Sequence, residues 1–133
     1  MSEVHEGGCL CGAIRYRVRG VPSEAFVCHC TFCQRRSGSA FAIEVFFPNE
    51  QVEFLGDKPS TYTHHSDASG RWLEVEFCAR CGTAVGLRAE RRSGQRAIMG
   101  GTFDDPQWFK IRRHTWTKSK QCWVEIPHDV LTS

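Results

Sequence analysis

The sequence predicts a mainly β protein, a sandwich of antiparallel sheets fastened by metal, and three observations point that way. Short segments alternate apolar and polar residues with the two-residue period of a half-buried strand. No window sustains the 3.6-residue apolar period of a long helix. The cysteines stand in clusters with metal-ligand spacing: Cys9-Leu10-Cys11, Cys28-His29-Cys30-Thr31-Phe32-Cys33 and Cys78-Ala79-Arg80-Cys81.

Taken in order, Ile14, Tyr16 and Val18 alternate with Arg15, Arg17 and Arg19, which predicts a strand with its arginines on the wet face. Gly20-Val21-Pro22-Ser23 turns the chain. Ala25-Phe26-Val27 is an apolar run that enters Cys28, so the three-cysteine stretch is a loop at a strand end. Residues 35–39 are polar around Gly38 and read as a turn or one short helical turn. Residues 41–47 are aromatic and β-branched and stop at Pro48-Asn49, which predicts a buried strand. Residues 52–55 and 60–63 flank Gly56-Asp57-Lys58-Pro59 and predict a hairpin. Residues 71–77 place Trp72, Leu73, Val75 and Phe77 against Glu74 and Glu76, then enter Cys78; residues 83–88 form the partner strand. Cys-x-x-Cys-Gly between two strands is a zinc-knuckle hairpin, with Gly82 allowing the tight turn that brings amides to the sulfurs. Further strands are expected at residues 96–99, 110–115 and 123–126.

At 133 residues the chain predicts one domain spanning 1–133. An apolar fraction of 41% with 24% charged residues is ordinary for a soluble globular protein. No apolar run approaches the ~20 residues of a membrane helix. The opening Met1-Ser2-Glu3-Val4-His5-Glu6 lacks the basic and apolar regions of a signal peptide. A cytoplasmic location is therefore expected, and it governs the eight cysteines. Four disulfides would allow 105 connectivities, but in a reducing compartment these clusters predict metal binding. The net charge of +2 is too mild to predict a nucleic-acid or membrane partner. Arg88, Arg91, Arg92 and Arg96 read as a solvated hairpin end, with a carboxylate-binding rim as the alternative.

Spacing alone leaves two pairings open. Cys30 and Cys33 with Cys78 and Cys81 would make an ordinary zinc ribbon, leaving Cys9, Cys11 and Cys28 without a task. Cys9 and Cys11 with Cys78 and Cys81 would instead leave Cys28, Cys30 and Cys33 as a separate triad. Beyond the cysteines, His29 lies between two ligands and is expected to point away from the metal. His64-His65 read as loop residues, and His114 as structural or reaching the site. Cys122 is expected as a buried packing residue, and Trp108, Trp116 and Trp123 as core. Asp104-Asp105-Pro106 reads first as a turn. Arg15, Arg71, Arg88, Arg112 and Arg113 are candidates to hold substrate carboxylates.

Gly8-Cys9-Leu10-Cys11-Gly12, Arg15-Tyr16, the stretch from Cys28 to Cys33, Gly38-Ser39-Ala40-Phe41 and Phe77-Cys78-Ala79-Arg80-Cys81-Gly82-Thr83 follow one another in a characteristic order. With Gly101-Thr102-Phe103-Asp104-Asp105-Pro106, His114-Thr115-Trp116, Ser119 and Trp123, the chain resembles the glutathione-dependent formaldehyde-activating enzymes, a family that includes centromere protein V-like members. That resemblance implies an Mss4-like fold and two zinc ions per chain. It implies a structural zinc on Cys9, Cys11, Cys78 and Cys81, and a catalytic zinc on Cys28, Cys30 and Cys33. The implied activity is a carbon–sulfur lyase joining glutathione, the small thiol substrate, to formaldehyde as S-(hydroxymethyl)glutathione.

Three thiolates suit the resemblance chemically. They make zinc a poor generator of hydroxide but a soft partner for a fourth sulfur. A thiol bound there would ionise, and thiolate is the nucleophile. Two other classes remain: a non-enzymatic zinc module for protein or nucleic acid, and a methionine sulfoxide reductase that would need Cys122.

Overall fold

A computed structural model describes residues 3–133; Met1 and Ser2, part of the opening stretch read above, lie outside the described residues. The strands are β1 (Val4–Gly8), β2 (Ile14–Arg19), β3 (Glu24–Cys28), β4 (Ala42–Pro48), β5 (Val52–Gly56), β6 (Ser60–His65), β7 (Trp72–Phe77), β8 (Ala84–Ala89), β9 (Gln95–Met99), β10 (Arg113–Thr115) and β11 (Leu131–Thr132). One α-helix, α1 (Thr31–Ser37), follows β3. The strands form a three-stranded sheet, β1-β2-β5, and an eight-stranded sheet, β11-β10-β3-β4-β9-β8-β7-β6. The mainly β sandwich is therefore present, with one modification. β10 pairs with β3 and with β11 in parallel, so the larger sheet is mixed. A parallel neighbour needs a long connection: residues 116–130 supply it between β10 and β11, and residues 29–112 separate β3 from β10.

The sheets meet through the alternating strands. Tyr16 and Val18 of β2 pack on Val45 and Phe47 of β4, Ile98 of β9 and Phe103. Removing a buried ring such as Phe47 from this layer would cost about 3–5 kcal/mol. Tyr16 is fully buried, and its hydroxyl donates to Thr102 Oγ1 at 2.7 Å while Thr102 donates to the Met99 carbonyl at 2.7 Å. Burial holds the Tyr16 phenol protonated well above its ordinary range. The opposite face of the large sheet carries Phe26, Phe46, Leu87, Ala97 and Met99, and Cys28 and Cys33 pack against it.

Three local expectations change. Residues 52–55 and 60–63 are not a hairpin: β5 pairs with β2, and β6 with β7 in the other sheet. The Gly56 turn, at φ +77°, carries the chain between layers rather than back on itself. Glu76, which alternates with the apolar residues of β7, is itself buried opposite Gly86 and held by Arg96 through two 2.9 Å bonds. Residues 123–126 form no strand; Trp123 is 70% exposed, and β11 takes the position beside β10 instead. The 110–115 strand shortens to β10, and β1 was not anticipated, because its five residues contain two glycines and little apolar surface.

Candidate functional site

The sulfurs of Cys9, Cys11, Cys78 and Cys81 lie within 4.8 Å of one another. The β1–β2 connection carries the first pair and the β7–β8 knuckle the second, so the group bridges the two sheets. Each turn is shaped around its sulfurs. The Ile14 N–H reaches Cys9 Sγ at 3.2 Å and the Arg80 N–H reaches Cys78 Sγ at 3.4 Å. Gly82, at φ +78°, closes the knuckle by donating to the Cys78 carbonyl at 2.8 Å. The Thr83 hydroxyl sits 3.2 Å from Cys81 Sγ and is the main reason that thiol is drawn down to about 5.

Cys28, Cys30 and Cys33 form the second group, their sulfurs also within 4.8 Å of one another. Cys28 ends β3, Cys30 caps α1, and Cys33 lies in the first turn of that helix. The stretch is thus a strand–helix joint, not the loop expected. Cys30 Sγ accepts the Cys33 N–H at 3.3 Å, the role a serine or aspartate oxygen ordinarily fills at a helix start. Gly38, at φ +68°, ends the helix through a bond to the Gln34 carbonyl. Hydrogen bonding from Cys28 and Cys33 draws the Cys30 thiol down to about 3, while Cys28, Cys30 and burial push Cys33 strongly up. One thiolate comes easily and the others resist, which is the state a bound dication relieves.

All eight cysteines are free thiols. Both groups therefore fit a metal, and the donor chemistry is compatible with zinc. Of the two pairings left open by spacing, the chain adopts the one that separates four sulfurs from three. Among the described residues, no other histidine, cysteine or carboxylate atom joins the three-sulfur group.

Behind the triad lie groups that the sequence reading overlooked. Glu44 on β4 is buried, with Oε1 3.6 Å from Cys33 Sγ. Burial lifts its carboxyl to about 7 against the pull of Arg36. Arg36 Nη2 is 3.7 Å from Cys33 Sγ and 3.7 Å from Glu44 Oε2. The available signal was a lone carboxylate inside the apolar run Ala42-Ile43-Glu44-Val45-Phe46-Phe47.

The other candidates scatter. His29 is buried, and its Nε2 meets His114 Nδ1 at 2.8 Å; burial lowers the basicity of both rings. Gln34 fastens α1 to the tail, donating to the His29 and Ser119 carbonyls at 2.8 and 2.9 Å. His64 is in β6 rather than a loop, stacked on Phe32 at 5.0 Å. Cys122 is exposed, not buried, so its thiol does not serve as core. Trp108 packs in the inter-sheet layer, whereas Trp116 and Trp123 are exposed. Asp104 holds Arg15 by bonds of 3.0 and 2.6 Å, and Asp105 accepts from the Gln107 N–H in the expected turn. Arg88 is bound to Glu74, Arg92 to Glu24 and Arg96 to Glu76, so three of the four arginines of the basic run are matched by carboxylates, while Arg91 is exposed. Arg71 and Arg112 are exposed and Arg113 lies in β10.

Among the described residues, no helix is long and apolar enough to cross a membrane. A Rhodobacter sphaeroides protein of known crystal structure shares the fold, with a TM-score of 0.59 and 19% identity, over 75% of this chain and 88% of that one. A Halomonas elongata protein, named provisionally as a glutathione-dependent formaldehyde-activating enzyme, is 29% identical over 125 residues, 91% of this chain and 80% of the relative. The profile of the family described as "Glutathione-dependent formaldehyde-activating enzyme" matches residues 4–119. With both cysteine groups assembled and most of its length matched, the chain belongs to the glutathione-dependent formaldehyde-activating enzyme family.

Proposed function

We propose that the chain is one zinc-binding domain, 1–133, acting in the cytoplasm as a carbon–sulfur lyase that joins glutathione to formaldehyde. Cys9, Cys11, Cys78 and Cys81 hold a structural zinc, and Cys28, Cys30 and Cys33 hold a catalytic one. The observation that carries the proposal is the second group itself: three convergent sulfurs, when a four-coordinate ion has one more position to offer. Bound there, zinc would favour the ionised form of a substrate thiol, the form that attacks a carbonyl.

The chain's own residues do the rest. Cys28 and Cys33 are buried against the sheet and orient the donor set, while half-buried Cys30 lies at its open side. Because β3 and the first turn of α1 fix all three backbones, little ordering remains when substrate arrives. In the overall reaction the substrate S–H bond breaks and a C–S bond forms. The carbonyl oxygen ends as a hydroxyl, so no proton is lost or gained. No membrane or nucleic-acid partner is part of this proposal.

The experiment is metal analysis coupled to exchange NMR. Two zinc ions per chain are expected, one perturbed by glutathione or removed first by a mild chelator. Exchange between free glutathione and its hydroxymethyl adduct should exceed the spontaneous rate. A zinc-loaded protein with no acceleration would remove the assignment. Two equally inert ions would instead favour a non-enzymatic zinc module.

A further inference from the structure

We infer, on the reading that metal sits at the triad, that Arg36 is a positioning residue. Held in place by Glu44, it keeps Cys33 a bound and unreactive sulfur while the substrate sulfur reacts. The Arg36 side chain is only 7% exposed, so water competes weakly for its donors. Nη2 is 3.7 Å from both Cys33 Sγ and Glu44 Oε2, and Nη1 is 3.2 Å from Met99 Sδ. The guanidinium also lies 5.5 Å from the centre of the Phe32 ring. A buried arginine stays charged and needs a fixed anion. Glu44, on β4, offers Nη2 a carboxyl oxygen at 3.7 Å, and the Cys33 sulfur at the same distance is the second acceptor, supplying the anion as a thiolate.

The consequence follows from sulfur chemistry. A thiolate that accepts an N–H from a cation is a weaker base, and nucleophilicity falls with basicity. At the triad, three ligand sulfurs and an incoming substrate sulfur would face the same carbonyl carbon. The chain must therefore blunt its own sulfurs. Among the described residues, Cys33 is the member of the triad hydrogen-bonded by a guanidinium, whereas Cys30 accepts a backbone N–H. The positive charge also offsets the gathering of several thiolates in an apolar wall built of Phe26, Phe46 and Leu87.

The test uses the whole protein with its four-sulfur site loaded. It reads zinc affinity at the triad by competition with a chelator, and the rate at which iodoacetamide labels Cys33, by peptide mass spectrometry. Arg36→Met, similar in stem but neutral, is expected to weaken zinc binding about 10–100-fold and to raise labelling of Cys33 relative to Cys30. Arg36→Lys, which keeps the charge, should stay close to the native protein in both readouts. If Arg36→Met fails to fold, Arg36→Gln carries the same expectation. A neutral variant that matches Arg36→Lys in both readouts overturns the role, since packing alone would then suffice. A native triad that takes up no zinc would remove the proposed function as well, which separates the two failures.

Discussion

The two sulfur groups use the same ligand and are built in opposite ways. Cys11 and Cys78, 3.8 Å apart through their sulfurs, are separated by 67 positions and lie on connections of different sheets. The triad comes from one strand–helix joint. Closing a long loop removes more freedom from the unfolded chain than closing a short one, so metal at the four-sulfur group would stabilise the fold itself. Metal at the triad ties together residues that β3 and α1 already hold. That difference supports the proposed division, structure for one group and chemistry for the other.

The strongest way to break this contrast is to remove one ligand from each group. Structural zinc contributes about 10–16 kcal/mol in zinc-finger peptides, comparable to a domain's whole stability. Cys9→Ser or Cys81→Ser should therefore yield insoluble protein, and Cys33→Ser soluble protein without activity. Soluble yield and gel filtration decide it; equal behaviour of all three would erase the distinction.

The next effect tests the frame behind the knuckle. Arg96→Leu leaves Glu76 buried without its cation and should cost about 3–5 kcal/mol in urea unfolding. The expected damage lies between β7 and β9, so metal at the triad should be retained in the folded fraction. Smaller again is Gly7→Ala, in the strand that delivers Cys9. Its Cβ would collide with the Thr102 carbonyl and the Tyr16 hydroxyl. A loss of about 1–3 kcal/mol is expected, with metal weakened at the four-sulfur group first. An unchanged melting curve would show that β1 is not needed to place Cys9.

The smallest effect is at the surface. Arg15 draws the Asp104 carboxyl below its usual range by hydrogen bonding. Both side chains are over a third exposed, so Asp104→Asn should cost no more than about 1 kcal/mol. A depressed carboxyl stabilises the fold above its unfolded value and loses that contribution as pH falls through the folded value. The cost should therefore be flat from pH 8 to pH 5 and shrink only below about pH 4. A cost that varies between pH 5 and 8 would mean another group governs the pair.

Local pattern was enough wherever one residue's neighbours in sequence are also its neighbours in space. The Ile14, Tyr16 and Val18 alternation became β2, with all three residues buried. The apolar run before Cys28 became β3, and Cys78-Ala79-Arg80-Cys81-Gly82 became the knuckle. Helix α1 was half legible. Its cap is a thiol rather than a serine or aspartate, and Cys33 is its one buried residue, so no apolar period announced it.

What sequence could not decide was everything that depends on which strand lies beside which. Residues 52–63 carry the composition of a hairpin, yet each strand finds a better neighbour in a different sheet. Glu44 and Glu76 look like interruptions in their strands until Arg36 and Arg96 arrive from elsewhere in the fold. The cysteines themselves named the chemistry, because three sulfurs within six residues have few uses other than metal. Their division into four and three was decided by the sandwich, since only the packing of two sheets brings Cys9 and Cys11 to Cys78 and Cys81.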